Sequence, residues 1–398
     1  MQSHQSLYQQ IARVYRGTAI LILNTILLAA GVEVAASSIL KVWSVRNPGD
    51  QQLVNPREKI AYYRSRDWGA QYWHEHHLSD VQRYHPYVIW RRAPFQGITI
   101  NIGEHGTRVT PGANCSANSY KVFAFGGSTM WGTGSPDWGT IPAYLQAGLE
   151  ALRGKSVCVM NFGESAFVST QGVIQLILEL QLGNVPHLVI FYDGVNDVYA
   201  AYQWGRPTHQ NVKYIAARFE NSENRPSLAD WIRASNAFQL IQRAASKLRH
   251  DPTKGSNLLT YKTMGVDTAG LSDSLVETYL SNYKIVDALA QKYGFKFLFF
   301  WQPNIAIGEK PLTSEEQEMR RRMDPALVEL HGSVYGRVQQ LGKKYKNLYY
   351  FGRIFDSLNS GIWIDPFHVI PEGNQLVAQK ILDVVTARNK DNKVNERR

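Results

Sequence analysis

The sequence predicts an α/β protein, a doubly wound sandwich of about five mainly parallel strands, with an apolar helix ahead of it that spans a membrane. Three observations predict it. From Tyr120 onward, short strand-like runs alternate with amphipathic helical patterns. Those runs are continuously apolar, as in parallel strands covered on both faces. Near the N-terminus, Gly17 to Val32 is almost uninterrupted apolar sequence.

The apolar N-terminal stretch resumes after Glu33 and runs to Leu40, with Arg13 and Arg16 ahead of it. Residues 17–40 together exceed the ~20 residues a helix needs to cross a bilayer. Two readings compete. Ala35-Ala36-Ser37 supplies small residues for signal-peptide cleavage, whereas the length favours an uncleaved anchor with Glu33 near the far interface, its charge in reach of water. Lys41 and Arg46 balance the two arginines, so flanking charge does not fix orientation. A short tail (1–16) before a large C-terminal domain favours export of that domain.

Residues 41–115 are rich in Tyr, Trp, Arg and Pro, show little periodicity, and read as a connecting and packing region. Within it, Ile98-Thr99-Ile100-Asn101-Ile102 alternates like a half-buried strand. The catalytic-size domain, 116–388, then begins. Val122–Phe125 is a strand ending at Gly126-Gly127, and Ile141 to Leu152 a helix with Ile141, Leu145, Leu149 and Leu152 on one face. Ser156–Met160 is a second strand, Gln171–Leu182 a helix, and His187–Tyr192 a third strand. Residues 203–270 break the alternation and read as an insertion able to cover a site, with a helical pattern from Leu228 to Leu248. A helix through Leu275, Tyr279, Val286 and Leu289 stops at Gly294. Phe295–Trp301 is a fourth strand, and Thr313-Ser314-Glu315-Glu316 a capping box for a helix that Pro325 splits. Leu348–Phe351 is the last strand, Asn374–Ala387 a closing helix, and 389–398 a charged tail.

The chain of 398 residues carries a net charge of +10. Apart from Arg320-Arg321-Arg322 and the tail, it has no dense basic run with interleaved aromatics, so no nucleic-acid partner is expected. The excess reads as solvated faces suited to anionic surfaces or glycans. The two cysteines, Cys115 and Cys158, leave two options: a disulfide in an exported domain, or a buried strand residue at Cys158 acting as a small hydrophobe.

Four blocks carry the chemistry: Gly126-Gly127-Ser128-Thr129, Asn161-Phe162-Gly163, Gly194-Val195-Asn196-Asp197 and Asp365-Pro366-Phe367-His368. Reacting groups of open α/β sheets gather beyond the carboxyl ends of the strands, where the first three blocks fall. Ser128 follows two glycines that permit a tight turn, although alone it reads more readily as a helix cap. Asn196 offers a side-chain amide to a developing oxyanion, and the loop after Asn161 offers backbone N–H groups. His368, three residues after Asp365, has a carboxylate spaced to hold its imidazole toward a serine.

These blocks resemble the SGNH hydrolase superfamily, the GDSL esterases and lipases, over about residues 120–388. The resemblance implies a three-layer, flavodoxin-like α/β/α sandwich. It also implies Ser128 as nucleophile, Asp365 and His368 completing the triad, and Asn196 as an oxyanion donor beside the Ser128 N–H. The family's pattern is broken twice. Gly127 stands where an acidic residue is usual. Ala166 stands where a glycine donates its N–H, a role that an alanine keeps if its φ is negative; Gly163 is the alternative donor.

Other motifs fail. Met130 spoils a Gly-x-Ser-x-Gly elbow, and Leu78 sits where His74-Glu75-His76-His77 would need its second zinc ligand. No metal or organic cofactor is expected. Trp131 and Trp138 read as either a sugar-stacking wall or plain packing. The sequence thus predicts a membrane-bound, extracytoplasmic serine esterase acting on an ester-bearing substrate such as an acylated polysaccharide. The alternatives are an O-acyltransferase with the same triad and an inactive SGNH-fold binding protein.

Overall fold

A computed structural model describes residues 2–46, 55–207, 235–238, 240–241 and 259–395. The described residues form two compact units. The first contains helix α1 (Gln2–Arg46), a single uninterrupted helix. Its segment Ala12–Val42 is long and apolar enough to cross a bilayer, a test that a signal sequence near an N-terminus also meets. Thr18, Thr25 and Ser38 turn their hydroxyls back onto carbonyls one turn earlier, so these polar groups are satisfied within the helix. Glu33, partly exposed, accepts the backbone N–H groups of Asn236 and Ala237 with its carboxylate.

The second unit is built on a five-stranded parallel sheet. Its strands are β5 (Tyr120–Gly126), β6 (Val157–Asn161), β7 (Leu188–Asp193), β8 (Lys296–Trp301) and β9 (Leu348–Tyr350), in the order β6-β5-β7-β8-β9. That order places a topological switch point beside β5, where ligands of such sheets bind. Helices α5 (Ile141–Arg153) and α11 (Pro371–Asn395) pack together on one face. On the other lie α6 (Ser169–Gln181), α7 (Val195–Trp204), α8 (Thr268–Tyr293) and α10 (Pro325–Leu341). The predicted three-layer sandwich is present. Continuous apolar strands form it because both faces are covered: every residue of β7 is buried.

Local signals set the helix ends. Thr140 caps α5 by accepting the Ala143 N–H, and Gly154 ends it with φ at 57°. Thr313 and Glu316 close a capping box on α9 (Ser314–Arg321), and Pro325 opens α10 from the first turn. The predicted helix over 228–248 lies outside the described residues, apart from 235–238 and 240–241.

The stretch before β5 is more ordered than its irregular sequence predicts. It holds a helical turn Pro56–Lys59, helices α2 (Ala61–Arg64) and α3 (Gly69–Leu78), and the hairpins β1–β2 (Gln82–His85 with Ile89–Arg92) and β3–β4 (Phe95–Gln96 with Asn101–Ile102). The alternation over 98–102 does not make a strand of that length, since only Asn101–Ile102 pairs. Glu75 is the reason. Its buried carboxylate accepts the N–H groups of Ile98, Thr99 and Ile100 and the Thr99 hydroxyl, which replaces a strand ladder. Those donors drive the Glu75 pKa down to about 2 against the opposing effect of burial.

Cys115 and Cys158 form a disulfide, tying the approach to β5 onto β6.

Candidate active site

Block one ends β5 and starts the short helix α4 (Ser128–Trp131), with Gly127 at its N-cap. His368 lies on the loop before α11, and the fold brings it 240 residues back to Ser128, with Nε2 2.7 Å from Ser128 Oγ. Its Nδ1 stands 2.8 Å from Asp365 Oδ2 and 2.9 Å from Oδ1. A carboxylate only accepts, so Nδ1 carries the proton and Nε2 is left to accept the Ser128 hydroxyl. The Phe367 and His368 backbone N–H groups donate to Asp365 Oδ1, fixing the carboxylate. Burial works against its charge, but His368, Arg57 and the Phe367 N–H outweigh it and hold Asp365 well below the usual carboxylate range.

Block three ends β7 and opens α7. Asn196 Nδ2 donates one hydrogen to Phe167 O at 2.8 Å, leaving its second free to point elsewhere. A Cβ on Gly127 would overlap Asn196 Nδ2, so the amide lies directly against the residue before Ser128. The missing side chain at Gly127 makes room for the Asn196 amide.

Block two is arranged differently from expectation. The Gly163 N–H donates to Asn161 Oδ1 at 3.0 Å, which removes Gly163 as an oxyanion donor. Asn161 Nδ2 also donates to Trp131 O, binding block two to block one. Ala166 adopts φ of 64°, not the negative value that a tolerated alanine requires, and so sits in the left-handed region that favours glycine. Its N–H has no hydrogen-bond partner among the described residues.

The loop is held in that strained shape from outside. Trp90 Nε1 donates to Ser165 O, and Arg92 Nη2 donates to Ser165 Oγ. The Arg92 N–H donates to buried Glu164, whose pKa burial pushes up while Arg92 and Arg91 oppose the rise. Arg91 donates to Phe162 O. Arg108 donates to the Trp131, Gly132 and Ser135 carbonyls and pairs with Asp137 at 2.8 Å. Trp131 is fully buried between the Arg92 and Arg108 guanidinium groups, 4.0 and 4.3 Å from its ring, and cannot stack a sugar. Trp138 is exposed and packs edge-on against Trp68.

None of these arginines was singled out from the sequence, nor was the pair Asp193 and Asp197. Burial, and for Asp193 the neighbouring Asp197 charge, raises both, Asp197 to about 6 and Asp193 well above its ordinary range. The one available signal was the arginine-rich composition of 41–115.

No protein-family model matches the sequence, and no curated protein does. Among solved structures, a carbohydrate acetylesterase family member from Sinorhizobium meliloti is 16% identical over 67% of this chain and 96% of its own, with a TM-score of 0.33. The acetyl xylan esterase AlAXEase is 18% identical over 67% of this chain and 99% of its own, at 0.34. A member of the lipolytic G-D-S-L family from Veillonella parvula DSM 2008 is 12% identical over 67% and 98%, at 0.33. Likenesses this distant leave function to the geometry of the site.

Proposed function

We propose that this protein is a membrane-anchored serine esterase of the SGNH type whose catalytic unit lies outside the cytoplasm. One observation carries the reading: the unbroken hydrogen-bonded chain from Ser128 through His368 to Asp365. In the reaction, Ser128 Oγ attacks the ester carbonyl while His368 Nε2 takes its proton and Asp365 holds the Nδ1–H. The oxyanion is met by the Ser128 N–H, the unpartnered Ala166 N–H and the second hydrogen of Asn196 Nδ2. The imidazolium then protonates the leaving alkoxide. Water, deprotonated by His368, opens the acyl-enzyme to carboxylic acid and free serine.

The charge of +10 suits approach to anionic polymers and supports an envelope glycan as the acyl carrier. The disulfide supports the extracytoplasmic placement, because such bonds persist in oxidising compartments.

The direct test is covalent labelling by a serine-directed fluorophosphonate. Labelling is expected in the native protein, absent in Ser128→Ala, and slowed by about 10³-fold or more in His368→Ala. An unlabelled, folded native protein sinks the enzymatic reading in favour of a binding role. Measuring free acetate against acetyl transferred to a second glycan then separates hydrolase from transferase.

A further inference from the structure

We propose that Arg57 is a positioning residue for the catalytic base, the outer member of a four-part chain Ser128–His368–Asp365–Arg57. The inference rests on the esterase reading above and adds to it a residue from a part of the chain the four blocks do not include. Arg57 lies 308 residues from Asp365, yet its Nη1 donates to Asp365 Oδ2 at 2.9 Å, one of the two carboxylate oxygens within hydrogen-bond distance of His368 Nδ1. The guanidinium is itself fixed. Its Nε donates to Asn55 Oδ1, as does the Arg57 backbone N–H, and its Cζ lies 5.0 Å over the ring of buried Trp73.

A cation on the far side of the carboxylate adds a side-chain donor at Oδ2 to the two backbone N–H groups that hold Oδ1, so the carboxylate is held at both oxygens and the imidazole keeps one orientation toward Ser128. The other ionisable groups packed around this chain do not substitute for it. Tyr63 is buried and donates its hydroxyl to Gly134 O, and burial keeps it un-ionised. His76 is held neutral by burial and by the Arg92, Arg57 and Arg108 charges. Among the described residues, Arg57 is the cation hydrogen-bonded to Asp365.

The test uses the full-length protein in detergent and reads the second-order rate of fluorophosphonate labelling at Ser128 from pH 4 to 9. Two neutral variants are compared with native protein, Arg57→Gln and Arg57→Met, both of which keep an aliphatic stem over Trp73. Arg57→Lys keeps the charge. In the neutral variants the plateau rate is expected to fall about tenfold, and the lysine variant is expected to recover at least half of the native rate. A lysine variant as slow as the neutral ones overturns the proposal and makes Arg57 a packing residue, and so does a neutral variant that labels at the native rate. If neither neutral variant folds, Arg57 is a folding element and the proposal is equally overturned. Failure of the esterase reading looks different, since the native protein itself is then unlabelled.

Discussion

At the scale of single residues, the departures from the SGNH pattern are explained by what each position touches. Gly127 is small because Asn196 Nδ2 occupies the space a Cβ would need. Gly127→Ala is therefore expected to push the amide off the oxyanion position, slowing fluorophosphonate labelling about 100-fold, the cost of one lost oxyanion donor. A folded variant that labels within about threefold of the native rate refutes this role for Gly127. Ala166 is the contrasting case. Its positive φ costs on the order of 1 kcal/mol, and the structure maintains it through the bonds that Trp90 and Arg92 make to Ser165 on its N-terminal side. The sequence shows that the position departs from glycine. It does not show the sign of φ, which depends on contacts some 75 residues away in the chain.

At the scale of elements, what the sequence discloses is what is local. Strand, cap and turn signals act over a few residues, so β5 to β9 and their helices were legible, and the blocks were legible because each ends a strand or precedes a helix. The segment 55–108 was not, because its order comes from distant partners. Glu75 organises residues 98–100, and Arg57, Arg91, Arg92 and Arg108 reach loops that lie 23 to 308 residues away. The Asp193/Asp197 pair is another such joint. It links the end of β7 to the start of α6, where the Ser169 N–H and hydroxyl both donate to Asp197. Burial raises Asp197 from its ordinary 3.8 to about 6. In the folded state the proton is therefore held longer than in the unfolded state, so this contribution is complete below about pH 4 and is lost as pH rises through about 6. Asp197→Asn is expected to flatten the decline of stability across that window, as read by urea unfolding at pH 4, 5 and 6. A native-like slope in the variant contradicts the assignment.

At the scale of the whole molecule, the disulfide and the apolar helix make one claim about location that can be tested apart from catalysis. The cysteines are 43 residues apart and join the lead-in of β5 to β6. In the loop-entropy account such a crosslink contributes about 2–4 kcal/mol by restricting the unfolded chain. That stabilisation exists only where the bond is oxidised, and cytosolic thiols are kept reduced. A catalytic unit carried outside by α1 is thus expected to hold both cysteines unreactive in intact cells. Acid-trapped cells treated with a polyethylene-glycol maleimide should give no mass shift until a reductant is added, and then a shift of two adducts. The protein should also stay with the membrane fraction at alkaline pH, since a spanning helix within the 31-residue segment Ala12–Val42 resists carbonate extraction whereas a mature chain cleaved near Ala36 does not. Two adducts without reductant place the catalytic unit in the cytoplasm. Oxidised cysteines in a carbonate-soluble protein point to export through a cleaved signal sequence. Oxidised cysteines with membrane retention fit an anchored catalytic unit.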